Sequence, residues 1–217
     1  MCGRFSLSNV SDILKRFNLS LPDFLPRYNV SPSQEVLAIV NDQTYQLKRF
    51  QWGLIPFWSK EKSSGMINAR AETVEKKPSF KHSFKRRRCL IPADGFYEWK
   101  KESTGKKPYR FILKTQVPFN FAGLWDTWTS PEGLNIQSCT IITTVANELV
   151  SSVHHRMPVI LSEDAEVAWL SHDVDVLKLK EFMHPFSSQQ MEGYEISSLV
   201  NSPQHDCPEI VRHVKKL

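Results

Sequence analysis

Short apolar runs broken by turn residues dominate the middle of the chain. Glu35 to Val40, Tyr45 to Phe50, Cys89 to Pro92, Phe96 to Lys100, Tyr109 to Lys114 and Cys139 to Val145 have the length and the β-branched or aromatic content of strands. Turn signals fall at Asn41-Asp42, Ser63-Ser64-Gly65, Ser103-Thr104-Gly105 and Ser130-Pro131-Glu132-Gly133, none long enough to be a domain linker. Helical spacing flanks this β-rich stretch. Ser11 is placed to cap a short helix whose Ile13, Leu14 and Phe17 share a face, and the proline-bearing segment Leu21 to Pro26 ends it. Ser162, followed by Glu163 and Asp164, starts a helix through Leu170, and Asp173 to Phe182 repeats the pattern with Val174, Leu177 and Phe182. With no internal repeat or low-complexity tract, the pattern predicts one α+β domain around a curved sheet or partial barrel.

Composition narrows the class. The 217 residues fit one sizeable domain, and 41% hydrophobic with 24% charged residues excludes a mostly disordered chain. No apolar run approaches the roughly 18 residues of a membrane span, and no signal-peptide pattern opens the chain, so the expectation is a soluble cytoplasmic protein without a membrane partner. The net charge of +5 is modest, but it is clustered. Lys76, Lys77, Lys81, Lys85, Arg86, Arg87 and Arg88 follow one another with no acid between them. Phe80 and Phe84 stand at i and i+4, so a short helix from Ser79 would bury them and turn the cations outward. Such a face suits phosphates and equally suits plain solvation; both readings stay open.

Cys2, Cys89, Cys139 and Cys207 lack the close pairs of a zinc site, and a reducing compartment disfavours disulfides. Each thiol is therefore core filler or a nucleophile. Cys2 differs from the others because its small side chain lets aminopeptidases remove Met1, which creates a 1,2-aminothiol. An α-amine titrates near 7.7–8 and a thiol near about 8.5, so both have a reactive fraction at neutral pH. An aldehyde would form a Schiff base with the amine, and the neighbouring thiolate would close a five-membered thiazolidine. The bland alternative is that Met1 stays and Cys2 is incidental.

Three further segments bear on that choice. In Ile67-Asn68-Ala69-Arg70-Ala71-Glu72 an amide and a guanidinium stand two residues apart, on one face of an extended chain. Pro92-Ala93-Asp94-Gly95-Phe96-Tyr97-Glu98-Trp99 carries Glu98 into an aromatic-rich strand, where burial would lift its carboxyl into the acid/base range. Val153-His154-His155-Arg156-Met157-Pro158 offers two histidines in a loop before a strand-like Val159 to Leu161. Each of these residues also has an ordinary structural reading.

Together with Met1-Cys2-Gly3-Arg4-Phe5, Arg27-Tyr28-Asn29-Val30-Ser31-Pro32, Trp52-Gly53-Leu54-Ile55-Pro56, Phe121-Ala122-Gly123-Leu124-Trp125 and Thr140-Ile141-Ile142-Thr143-Thr144, these motifs resemble the SRAP family, the SOS-response-associated peptidases. The resemblance runs over almost the whole chain. It implies a single SRAP-type domain over residues 1–217, a curved, mostly antiparallel sheet or open pseudobarrel with flanking short helices. It also implies a sensor of abasic sites in single-stranded DNA that crosslinks itself covalently through Cys2 once Met1 is gone. In that role Asn68 and Glu98 would position groups and move protons, and His154 would assist opening of the deoxyribose ring. Arg4 and Arg70 would contact phosphates, Asn29 and Pro32 would lie near flanking nucleotides, and Trp58 and Trp99 would stack on or wedge between bases. Phe57-Trp58 departs from the additional tryptophan that some relatives carry. No metal or organic cofactor and no partner subunit is implied, so a monomer is expected. By the same resemblance Glu98 would also help remove Met1 autoproteolytically, and two alternatives stand beside this reading: an N-terminal-nucleophile cysteine peptidase or amidase, and a non-covalent single-strand-binding module.

Overall fold

The computed structural model describes residues 2–21, 23–62 and 65–214. Its elements in chain order are β1 (Phe5–Leu7), α1 (Ser11–Arg16), β2 (Arg27–Val30), β3 (Glu35–Asp42), β4 (Thr44–Trp52), β5 (Asn68–Arg70), α2 (Pro78–Arg86), β6 (Arg88–Ala93), β7 (Gly95–Glu102), β8 (Gly105–Leu113), β9 (Phe119–Thr129), β10 (Asn135–Val145), α3 (Glu148–Ser151), β11 (Arg156–Pro158), β12 (Ile160–Leu161), α4 (Glu163–Leu170), α5 (Val176–Glu181) and β13 (Met191–Glu195). Short 3-10 turns follow at Ser198–Asn201 and Pro208–Val211. The α+β class is therefore as the pattern predicts. No helix among the described residues is long and apolar enough to cross a membrane.

Two sheets carry the fold. The smaller has five strands in the order β13-β8-β7-β1-β2. The larger has the order β11-β10-β4-β3-β6-β9-β12, and β10 also pairs with β9 and β5. Because β10 pairs with both β4 and β9, strands β4, β3, β6, β9 and β10 form a closed ring, which removes their edges from solvent. Among the described residues, only the β10 pairings with β4 and β5 are parallel.

The near-continuous apolar run of β3 follows from burial on both faces. Leu37 and Ile39 join a core shared with Ile13 and Leu14 of α1, Phe80 and Phe84 of α2, and Trp169 of α4. Val36, Ala38 and Val40 point the other way, into a core shared with Phe5, Phe96 and Phe111 of the smaller sheet. Aromatic rings join the two sheets there: the Phe5 ring lies 5.2 Å from that of Trp52 and 5.7 Å from that of Phe121. Alternation thus builds two cores from one strand.

Several local expectations change. Ser11 is the first residue of α1 rather than its cap, its amide donating to Asn9 Oδ1. That helix ends before any proline, where Asn18 takes a positive φ of 53° and the Leu19 amide returns to the Leu14 carbonyl. The helix foreseen from Ser79 is α2, with Phe80 and Phe84 buried beneath it. Not all of its cations face outward. Arg88 is buried in β6 and donates to the carbonyls of Phe84, Lys85 and Trp169, while Arg87 pairs with the buried Asp126. A helix end that leaves carbonyls unbonded under a packed layer needs such a donor.

Candidate active site

The site forms where the two sheets meet. Phe5 pairs with Phe96 and Ser6 with Gly95, and the Tyr97 amide donates to the Arg4 carbonyl at 3.0 Å. Continued by that register, the chain before β1 brings Gly3 opposite Glu98 and Cys2 one residue further, close enough for the Glu98 carboxylate to act on the Cys2 thiol. On the facing sheet, β5 and β11 flank the end of β10, with Asn68 opposite Ile141 and Arg156 opposite Val145. Strand pairing therefore gathers residues 2, 68, 98 and 154 from four separate segments.

Their contacts are specific. Asn68 Nδ2 donates to the Cys2 carbonyl at 2.8 Å, and His154 Nδ1 lies 3.8 Å from a Glu98 carboxylate oxygen. Asn68 Oδ1 is buried with no hydrogen-bond partner among the described residues, so the site holds an acceptor ready for a donor. Glu98 is only 3% exposed, and burial lifts its carboxyl to about 7. Burial lowers the His154 pKa, so the imidazole is neutral at physiological pH. Its Nδ1 lies 3.1 Å from the Arg156 amide and 3.2 Å from the Arg156 carbonyl, and the tautomer decides which it engages.

Cys2 is fully buried, and desolvation followed by the charge of Glu98 pushes its thiol well above the ordinary range. This corrects the expectation of a thiol with a ready thiolate fraction at neutral pH: the sulfur sits in the core between the sheets, its S–H directed at the Arg4 carbonyl 4.0 Å away. Expectations about Met1 lie outside the described residues.

The other candidate residues divide. Arg70 and Trp58 are exposed, Trp58 by 52%. The loop beneath Trp58 is pinned, since the Phe57 amide donates to Asp126 and Trp128 Nε1 donates to the Ser59 carbonyl. Pro32 is half-buried. Asn29 is fully buried, and its Nδ2 lies within hydrogen-bond distance of the Val200, Ser202 and His205 carbonyls, so it fastens the C-terminal segment rather than facing outward. Arg4 donates to Asn29 Oδ1 and the Val200 carbonyl and lies 5.9 Å over the Trp99 ring. Trp99 Nε1 in turn donates to Asn201 Oδ1 at 2.7 Å.

One group escaped residue-level reasoning although it lay inside a quoted motif. Arg156 is buried and grips Glu72 with both terminal nitrogens, and it also donates to the Thr143 carbonyl at 2.6 Å. The pair ties the end of β5, which bears Asn68, to β11, which follows His154. Among the described residues no three His, Cys, Asp or Glu side chains gather into a group able to hold a metal ion.

Fold and site together define a sheet-dominated α+β protein with a thiol near its N-terminus set beside an amide, a carboxyl and an imidazole. The chain belongs to the family described as SOS response associated peptidase (SRAP), which matches residues 1–203. It is 47% identical over 221 residues to the abasic site processing protein YoqW of Bacillus subtilis, covering 97% of this chain and 99% of that one. It is 31% identical over 260 residues to the abasic site processing protein HMCES of Gallus gallus, covering 96% and 76%. A crystal structure of a protein from Bacteroides thetaiotaomicron has the same fold, with a TM-score of 0.87 at 28% identity over 99% of this chain and all of that one.

Proposed function

We propose that this protein processes abasic sites in single-stranded DNA by capturing them covalently on Cys2. The observation that carries the reading is the convergence of Cys2, Asn68, Glu98 and His154 where the two sheets meet. The names of the relatives supply the class of lesion.

The chemistry follows from the groups present. An abasic deoxyribose opens to an aldehyde at C1′. With Met1 removed, the Cys2 α-amine adds to that carbon, and loss of one water leaves an imine. The thiol sulfur then adds to the same carbon, its proton passing to the nitrogen by way of a nearby base, and the thiazolidine ring closes. One C–N and one C–S bond form, the C1′–oxygen double bond is lost, and one water leaves overall. Because the Cys2 thiol is held protonated, its proton must leave as the C–S bond forms. Glu98, poised near 7, is suited to exchange protons at this point in either direction. His154, whose pKa burial lowers, would move the proton that opens the sugar ring. Asn68 holds the Cys2 backbone through its Nδ2 and offers its buried Oδ1 to the amine or a sugar hydroxyl. Consuming the aldehyde removes the electron sink that β-elimination needs, so the strand is shielded from breakage.

The test is a denaturing gel of protein incubated with a single strand bearing one abasic site. Wild type gives a heat-stable shifted band and Cys2→Ala gives none; a heat-stable crosslink of Cys2→Ala would sink the mechanism. Repeated cleavage of peptides in trans would favour the peptidase reading. A complex that dissolves as salt rises would favour passive binding.

A further inference from the structure

The geometry ranks the two nucleophiles that Cys2 offers once Met1 is gone. Its thiol is fully buried between the sheets, with the S–H directed at the Arg4 carbonyl 4.0 Å away, and desolvation keeps it protonated. The α-amine is better served. Asn68 Nδ2 holds the Cys2 carbonyl at 2.8 Å, and Asn68 Oδ1 is buried with no hydrogen-bond partner among the described residues, an acceptor suited to orient an amine N–H. Glu98 and His154 stand 3.8 Å apart beside Cys2, so a proton taken from one atom of a substrate can be returned at another. An aldehyde carbon needs both nucleophiles for a stable adduct, because its imine is reversible until the thiol closes the ring. A carbon at the acyl level needs only the amine, because expulsion of an alcohol leaves a stable amide.

We propose that the protein also captures abasic sites already oxidised at C1′, the 2-deoxyribonolactones, through the Cys2 α-amine alone. The proposal rests on the reading above, in which Met1 is removed and the site presents C1′ of a deoxyribose to Cys2. The lactone keeps the ring of the closed abasic sugar and carries a carbonyl oxygen where that sugar has its C1′ hydroxyl, so a site that admits one admits the other. The amine adds to C1′, the C1′–O4′ bond breaks, and the proton lost by nitrogen is delivered to O4′ by way of Glu98 and His154. One C–N bond forms, one C–O bond is lost, and no water leaves. The lesion arrives oxidised, so the step needs no oxidant, and the Cys2 thiol stays free. Burial of Cys2 and Glu98 favours the amine over water as the group that reaches the carbonyl.

Intact-protein mass on a single strand carrying one such lactone, beside the same strand with an ordinary abasic site, tests this. Wild type should gain the full mass of the lactone oligonucleotide, mapped to residue 2, with the Cys2 thiol still open to alkylation by iodoacetamide. The abasic adduct should lack one water and resist alkylation there. Cys2→Ala, whose small side chain still allows Met1 to be removed, should lose the heat-stable abasic crosslink and keep the lactone one. An uncleavable extension before residue 2 should abolish both. The proposal is overturned if wild type captures the abasic strand but not the lactone, if Cys2→Ala captures neither, or if the lactone adduct survives the extension. Failure of the abasic reading would appear differently: wild type would form no adduct with the abasic strand, whatever happens with the lactone.

Discussion

Glu98 and Glu166 are both buried carboxylates, 3% and 2% exposed, and burial raises the pKa of each. Their surroundings differ. Glu166 in α4 accepts from Asn120 Nδ2 at 2.7 Å and from Arg16 Nη2 at 2.9 Å, so a permanent cation and an amide hold it in place between α1, β9 and α4. Glu98 stands beside His154 and the Cys2 thiol, groups that themselves exchange protons. A carboxylate given fixed donors becomes a fastening. One set among titratable neighbours, with its pKa near 7, becomes a means of moving protons. Burial alone does not separate the two roles; the partners do.

This contrast can be broken at several points. The largest effect is expected upstream of Glu98 itself. An uncleavable extension before Cys2 removes the free amine and should abolish crosslinking while the melting temperature stays within about a degree or two; equal yields with and without the extension would remove the amine from the mechanism.

Glu98→Gln should slow crosslinking by about a hundredfold or more, the usual range for losing a general acid or base, and should remove any rate transition near pH 7. It should also change stability in a set direction. The folded carboxyl titrates near 7 and the unfolded one near 4.5. Below 4.5 the two states bind the proton alike. As pH rises from there to 7 the unfolded chain ionises first, so wild-type stability falls and then levels off above 7. Glutamine escapes that loss. The variant should gain on wild type between pH 5 and pH 8, by on the order of 3 kcal/mol at most. Denaturant titrations at the two pH values read it, and a constant difference would show that Glu98 is not held near 7.

Glu166→Gln is the smaller and opposite case. It removes the buried one of the two carboxylates that hold the Arg16 guanidinium, leaving the exposed Glu163, and should cost about 1–3 kcal/mol of stability. Crosslinking per folded molecule should not change. A selective loss of crosslinking rate there would dissolve the distinction between the two carboxylates.

The sequence pattern reveals the strands whose apolar residues crowd together, such as β3 and β6, and the helices with clear starts, such as α4. It conceals β9, the longest strand together with β10. Asn120 and Asp126 read as turn residues there but are buried and bonded, to Glu166 and Arg87 respectively. Gly123 reads as a break, yet a Cβ at that position would meet Cys89 Sγ and the Ile91 side chain at 2.8 Å, so the strand needs glycine to pack. Strands of three or four residues, such as β1, β2 and β5, are too short to carry a period.

The candidate site is legible in a different way. Burial of Glu98 in an aromatic strand follows from its neighbours in sequence, and its lifted carboxyl follows from that burial. The roles of Asn29 and Asp206 do not. Asp206 accepts from the Asn29 amide across 177 positions of chain, and nothing near either residue announces the other. The burial of Cys2 is equally hidden, since it is the pairing of β1 with β7 that draws this residue between the sheets.

The central claim is a covalent bond at one residue. Intact-protein mass before and after incubation with a single-stranded oligonucleotide bearing one abasic site, followed by peptide mapping, reads it directly. The account predicts a starting mass without Met1 and an adduct equal to the oligonucleotide less one water, mapped to Cys2. A Met1-free protein that gains no mass, or an adduct mapped to any other residue, would contradict it.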